Sequence, residues 1–117
     1  MTNKKIQGDL IEAKALEHYL ARGYELLAKN FRLKCGELDL VLRDPSNVLV
    51  VVEVRSRTAQ RSWETPEQSL SAKKLERIRK TTELFLRQYR GRFSGLRFDL
   101  AAWSGSQLEI YPNFWWY

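Results

Sequence analysis

Residues 36–55 decide the fold: Gly36-Glu37-Leu38-Asp39-Leu40-Val41-Leu42-Arg43-Asp44-Pro45-Ser46-Asn47-Val48-Leu49-Val50-Val51-Val52-Glu53-Val54-Arg55. Two apolar runs flank Asp44-Pro45-Ser46-Asn47, a stretch of turn formers. Glu37 to Arg43 alternates as a strand does. Val48 to Val54 is almost wholly apolar and β-branched, the signature of a central strand buried on both faces. Together they predict an antiparallel hairpin. Side chains alternate between faces, so residues of like parity share a face. Positions 38, 40, 42, 48, 50, 52 and 54 are all Leu or Val. The other face carries Glu37, Asp39, Val41, Leu49, Val51, Glu53 and Arg55. With a loop of about five residues around Pro45, Asp39 faces Glu53 directly or one diagonal step away, roughly 4.5–8 Å distant.

That placement is where chemistry enters. A carboxylate in a buried strand is costly unless it is paired, hydrogen-bonded or bound to a metal. Two close carboxylates raise each other's proton affinity. A hard cation such as Mg²⁺ relieves the repulsion, with waters and phosphate oxygens completing its shell. The alternative is plain ion pairing, Glu53 with Arg55 or Arg57 and Asp39 with Lys34 or Arg43. A third acid, Glu12, stands four residues before Leu16 and seven before Tyr19, on the helix face expected to pack inward. By itself it reads first as a helix-edge residue hydrogen-bonded to its neighbours.

Working outward, Lys5 to Arg22 reads as a helix, with Leu16, Tyr19 and Leu20 at helical spacing and Gly23 as its stop. Tyr24 to Ala28 is a short strand. Pro66 to Tyr89 holds a second helix, whose apolar stripe is Leu75, Ile78, Thr82, Phe85, Leu86 and Tyr89. Lys73, Arg77, Lys80 and Arg87 lie opposite. Leu96 to Trp103 and Gln107 to Tyr111 form a second hairpin across Ser104-Gly105-Ser106. The order is α-β-β-β-α-β-β, an α/β fold with a sheet flanked by helices.

The 117 residues fit one domain, with an aromatic tail over residues 111–117. A single cysteine, Cys35, excludes an internal disulfide, and with a single histidine, His18, it excludes zinc sites built on those ligands. No apolar run reaches the ~20 residues of a membrane span, and the N-terminus lacks the apolar stretch of a signal peptide. A cytoplasmic protein with no membrane partner is expected. The net charge of +6 points to nucleic acid or another anionic surface, or to nothing beyond solubility.

The ordered set Gly8-Asp9 with Glu12, Gly36-Glu37-Leu38-Asp39-Leu40, Val52-Glu53-Val54-Arg55-Ser56-Arg57, Lys74 and Arg97-Phe98-Asp99 resembles the YraN-like, endonuclease-like family. That family is similar to archaeal Holliday junction resolvases and to the wider PD-(D/E)xK nucleases. The resemblance spans about Gly8 to Phe114. It implies a single-domain, restriction-endonuclease-like core with a mixed sheet and the active site at one end. It implies that Asp39 and Glu53, helped by the Val54 carbonyl, hold Mg²⁺ or Mn²⁺, with Glu12 accessory. The substrate it implies is DNA, including branched DNA, and a homodimer would follow by analogy. Where the wider pattern has lysine this chain has Arg55. Arginine stays charged and is a poor base, but it can stabilise charge on a reacting phosphate. Lys74 could supply the missing amine, or be a solvated helix lysine.

Arg55, Arg57 and Arg61 follow the acidic strand, and Lys73, Lys74, Arg77, Arg79 and Lys80 cluster on the second helix. Around one cleft they would contact phosphates and bind in a salt-sensitive way. As an isolated run they would be a solvated face. Arg57 to Thr65, with Trp63, reads as a mobile loop that stacks on a base or covers the core. The aromatic end Phe114 to Tyr117 packs along the last strand or under the first helix, mediates a dimer, or stacks on bases. Asp99 reads as the partner of an arginine. Two other classes stay open: a non-catalytic nucleic-acid-binding module on the same fold, which Arg55 favours, and an interaction protein that uses the aromatic tail.

Overall fold

The run Val48–Val54 carries no polar face because it becomes the middle strand of a sheet covered on both sides. The computed structural model describes residues 2–57 and 70–114. Its elements are α1 (Thr2–Leu20), β1 (Glu25–Leu33), β2 (Gly36–Arg43), β3 (Val48–Arg57), α2 (Ala72–Gln88), β4 (Gly95–Ser104) and β5 (Gln107–Tyr111). The five strands lie in sequence order, β1-β2-β3-β4-β5. β1, β2 and β3 are antiparallel neighbours, as are β4 and β5. β3 and β4 run parallel from Val48↔Gly95 to Arg57↔Ser104, and α2 lies in the chain between them, as a parallel pair requires. The result is the expected single α/β domain with a mixed sheet and two helices.

Alternation along the strands sorts the core into two layers. Leu40, Leu42, Val50, Val52 and Ala101 pack with Ala15 and Tyr19 of α1. Val41, Val51, Phe98 and Leu100 pack with Ile78 and Phe85 of α2. The β2–β3 register is as the parity argument requires: Leu40↔Val52, Val41↔Val51, Leu42↔Val50 and Arg43↔Leu49. The turn is held by Asp44, whose Oδ1 accepts from the backbone amides of Ser46 at 2.8 Å and Val48 at 2.9 Å. Asn47 takes the left-handed conformation the turn needs, φ 66°.

Three sequence expectations are corrected. Leu38 does not share a face with Leu40 and Leu42; it joins the α2-side layer with Val41 and Val51. The reversal falls between the pairs Lys29↔Leu40 and Phe31↔Leu38. There Asn30 of β1 sits at φ 53°, and simple alternation does not survive such a residue. The first strand runs to Leu33 rather than Ala28: its far half also pairs with β2, with Phe31 on the α2-side layer and Lys29, Asn30 and Arg32 exposed. Of the helix stripe predicted through Leu16, Tyr19 and Leu20, Leu16 and Tyr19 pack on the α1-side layer with Ala15, and Ile11 is buried as well, whereas Leu20 is 47% exposed. Small Ala15 lets α1 lie close against the sheet.

α2 begins at Ala72, not Pro66; residues 58–69 lie outside the described residues, with Arg61, Trp63 and most of the expected loop. Ser71 is its N-cap, Oγ accepting from the Lys74 amide at 3.1 Å. Gly36 fits here for lack of a side chain: a Cβ on it would stand 2.7 Å from Thr81 Oγ1 and 3.3 Å from the Arg77 carbonyl. At the chain's end the Phe114 amide bonds the Phe98 carbonyl at 2.6 Å, and Phe114 packs on the α2-side layer rather than under α1. Residues 115–117 lie outside the described residues.

Candidate active site

β2 and β3 stop pairing after Leu40↔Val52, and the acids gather where they part. Asp39 and Glu53 are the next residues along the same register. Asp39 turns its carboxylate into the opening, where Oδ2 accepts the Val54 amide at 2.8 Å. This bond replaces the strand pairing that ends there, so Asp39 is tied to β3 by structure rather than by a chance rotamer. The predicted partners Lys34 and Arg43 are not used; Arg43 pairs with Glu25 across β1–β2.

Glu53 is buried, at 4% exposure. Its Oε2 has no hydrogen-bond partner and lies 3.4 Å from Lys74 Nζ. Burial first, then hydrogen bonding to and the charge of neighbouring Asp39, push its pKa well above the usual carboxylate range; Lys74 and Arg55 pull the other way. Lys74 on α2 is half-exposed and reaches the acid from the opposite layer. It is not merely a solvated helix lysine.

Glu12 approaches from α1. Its Oε1 is buried without a partner. Its pKa is raised by burial first and by Asp39 second, against a lowering hydrogen bond with Asn30. Asp39 is thus electrostatically coupled to both other acids. A cleft of about 520 Å³ is lined by Glu12 and Asp39 with Gly8, Asn30, Arg32, Glu37, Val54 and Arg55; Glu53 is not among its lining residues. Arg32 and Glu37 bond each other at 3.0 Å. Sequence reading missed Asn30 and Arg32. Both lie in the far half of β1, beyond the strand expected to end at Ala28, and both are exposed polar residues.

Among the described residues no group of three or more His, Cys, Asp or Glu side chains forms a ready-made metal cage. The donor set nonetheless suits a hard cation that needs only one or two carboxylates. The two orphaned buried oxygens, Glu12 Oε1 and Glu53 Oε2, are acceptors of the type Mg²⁺ takes.

The structure does not unite all the expected cations. Arg55 lines the acidic cleft and Lys74 meets Glu53. Lys73, Arg77 and Lys80 line a different groove, against the β1–β2 turn. Arg79 is engaged with Glu76 and Glu83 on its own helix. The side chain of Arg57, and all of Arg61, lie outside the described residues. Asp99 is a structural residue as expected. It is fully buried and accepts from Arg97 Nε at 2.9 Å, Tyr19 Oη at 2.9 Å and the Asn113 amide at 3.0 Å.

Fold and cleft define a class: small basic α/β proteins with coupled acids at the point where two sheet strands part. Residues 11–102 match the model of "Uncharacterised protein family UPF0102", and the chain belongs to that family. It is 38% identical over 104 residues to a UPF0102 protein of Ralstonia nicotianae, covering 87% of this chain and 80% of the relative. It is 34% identical over 111 residues to one from Sulfurihydrogenibium, covering 95% of each. A relative from Lachnoclostridium phytofermentans is 32% identical over 113 residues, covering 95% of this chain and 93% of its own length. No helix among the described residues is long and apolar enough to cross a membrane.

Proposed function

We propose that the chain is a Mg²⁺- or Mn²⁺-dependent endonuclease that hydrolyses phosphodiester bonds in DNA, branched DNA included, in the cytoplasm. The observation that carries this reading is the Asp39–Glu53 pair: two coupled carboxyls at the end of a buried strand, one with an oxygen that no hydrogen bond satisfies. A structural ion pair would not need the second acid.

Asp39 and Glu53 would hold the ion, with the Val54 carbonyl beside them and Glu12 in support. When bound, the ion would polarise the phosphate and lower the pKa of a water. Asp39 is kept in place by the Val54 amide. Arg55, on the cleft wall, would stabilise charge developing on the phosphate; its planar fork suits two phosphate oxygens. Lys74, in a salt bridge with Glu53, would orient a water or contact a phosphate.

A second reading, a nucleic-acid-binding module without catalysis, draws on Arg55 at the position where a titratable lysine would serve better. Calorimetric titration of Mg²⁺ and Mn²⁺ into wild type and Asp39→Asn, followed by assay on a four-way junction, separates the two. The expected result is metal binding and cleavage by wild type, both lost in Asp39→Asn while DNA binding persists. Full-rate cleavage by Asp39→Asn sinks the assignment. Salt-sensitive DNA binding by a wild type that takes no metal favours the module.

A further inference from the structure

The groove between α2 and the β1–β2 turn has a charge pattern the acidic cleft does not explain. Lys73, Arg77 and Lys80 project along one exposed face of α2, and Lys34 stands on the opposite wall, with Cys35 and Gly36 between. The single acid lining it, Glu76, is bound to Arg79. None of the four cations forms a salt bridge with a described carboxylate, whereas Arg32, Arg43, Lys74, Arg79 and Arg97 all do. Gly36 lets the turn sit tightly on α2, so the two walls are fixed against each other.

We infer that this groove is a second nucleic-acid contact, a track for the phosphate backbone separate from the cleft that holds the acids. The inference rests on the reading that the protein acts on nucleic acid. It adds that the substrate is gripped on a second surface, reached around the β1–β2 turn. From Lys73 to Lys80 the helix rises roughly 10 Å, about the axial length of three phosphates on one strand. The groove offers point charges and few aromatic or amide groups, so it binds backbone without reading bases.

Cys35 is the only cysteine in the chain and is partly exposed in this groove, so it reports occupancy directly. Alkylation by iodoacetamide is followed in EDTA, with and without a DNA duplex, for wild type and for Lys73→Gln/Arg77→Gln/Lys80→Gln. Affinity is measured in parallel across salt concentrations. DNA should slow wild-type alkylation severalfold and leave the triple variant's rate unchanged. The variant should bind about tenfold more weakly at low salt, its log–log salt slope reduced by roughly 0.9 for each phosphate it no longer neutralises. Lys34→Gln, on the other wall, should move affinity in the same direction; all four side chains are exposed, and circular dichroism checks the fold. Unprotected Cys35 with unchanged affinity in the triple variant overturns the inference even if cleavage is intact. Equal protection by polyglutamate at the same charge concentration overturns nucleic acid as the occupant in favour of an acidic protein. Groove-dependent DNA binding without any metal-dependent cleavage upholds the groove and defeats the nuclease reading instead. A wild type that binds no DNA defeats both.

Discussion

At the scale of single residues, Glu53 shows a functional group kept at a cost to stability. Its carboxylate is buried, one oxygen lacks a hydrogen bond, and its counter-ion sits on a flexible, half-exposed side chain. Glu53→Gln removes the charge and keeps the shape. The metal-free variant should be more stable than wild type at pH 7.5, by about 1–3 kcal/mol in urea melts, the range for relieving a buried unsatisfied group. The sign with pH follows from the raised pKa. Folded Glu53 binds its proton more tightly than unfolded Glu53, so the penalty is fully present above the folded pKa and fades as pH falls through it. The gap between variant and wild type should therefore close on acidification. A variant less stable than wild type at pH 7.5 would mean that the Lys74 contact outweighs desolvation. Gly36→Ala is the contrasting case. Its methyl would meet Thr81 Oγ1 at 2.7 Å, on a buried helix face that has no room to yield. A loss of about 1–3 kcal/mol is expected, and wild-type stability in thermal melts would contradict it.

At the scale of elements, what the sequence made legible follows burial. β2 and β3 could be placed, paired and put in register because most of their residues are buried and the turn chemistry at Asp44 is explicit. Asp39 and Glu53 came with them, since register alone brings them together. β1 beyond Ala28 was not legible: Phe31 and Leu33 are its only apolar residues there, too few to stand out as a run, and Asn30 in the left-handed region interrupts the alternation before them. Leu38 was misplaced for the same cause, because parity counting cannot see a local reversal. On α1 the fully buried Ala15 is a small residue, which a search for large apolar side chains passes over. α1 is held by a buried polar contact as well as by apolar ones. Tyr19 Oη donates to buried Asp99, and burial together with that carboxylate pushes the Tyr19 pKa up. Tyr19→Phe leaves Asp99 with Arg97 and the Asn113 amide but one donor short. It should cost about 1–3 kcal/mol, without altering metal affinity at Asp39. A Phe variant as stable as wild type would show that α1 docks through its apolar contacts alone.

At the scale of the whole molecule, the three acids come from three elements: Glu12 from α1, Asp39 from β2 and Glu53 from β3. None is near another in the chain, so they meet only in the folded state, and an ion held by them binds the native chain far better than the unfolded one. Binding is then folding energy: at a concentration a hundred times Kd the gain is about 2.7 kcal/mol. Wild-type thermal midpoints should rise with Mg²⁺ or Mn²⁺ and return to baseline with EDTA. Asp39→Asn should show no rise, since it loses the central charge to which both other acids couple. Glu12→Gln should keep a reduced rise, because its carboxylate supports the site from α1 rather than from the strands. The groove variant Lys73→Gln/Arg77→Gln/Lys80→Gln should keep the full rise, since its side chains line another surface. That pattern separates the acids' task from the cations'. A midpoint insensitive to either metal in wild type would remove the ion from the acidic cleft and leave the protein as a binder of nucleic acid.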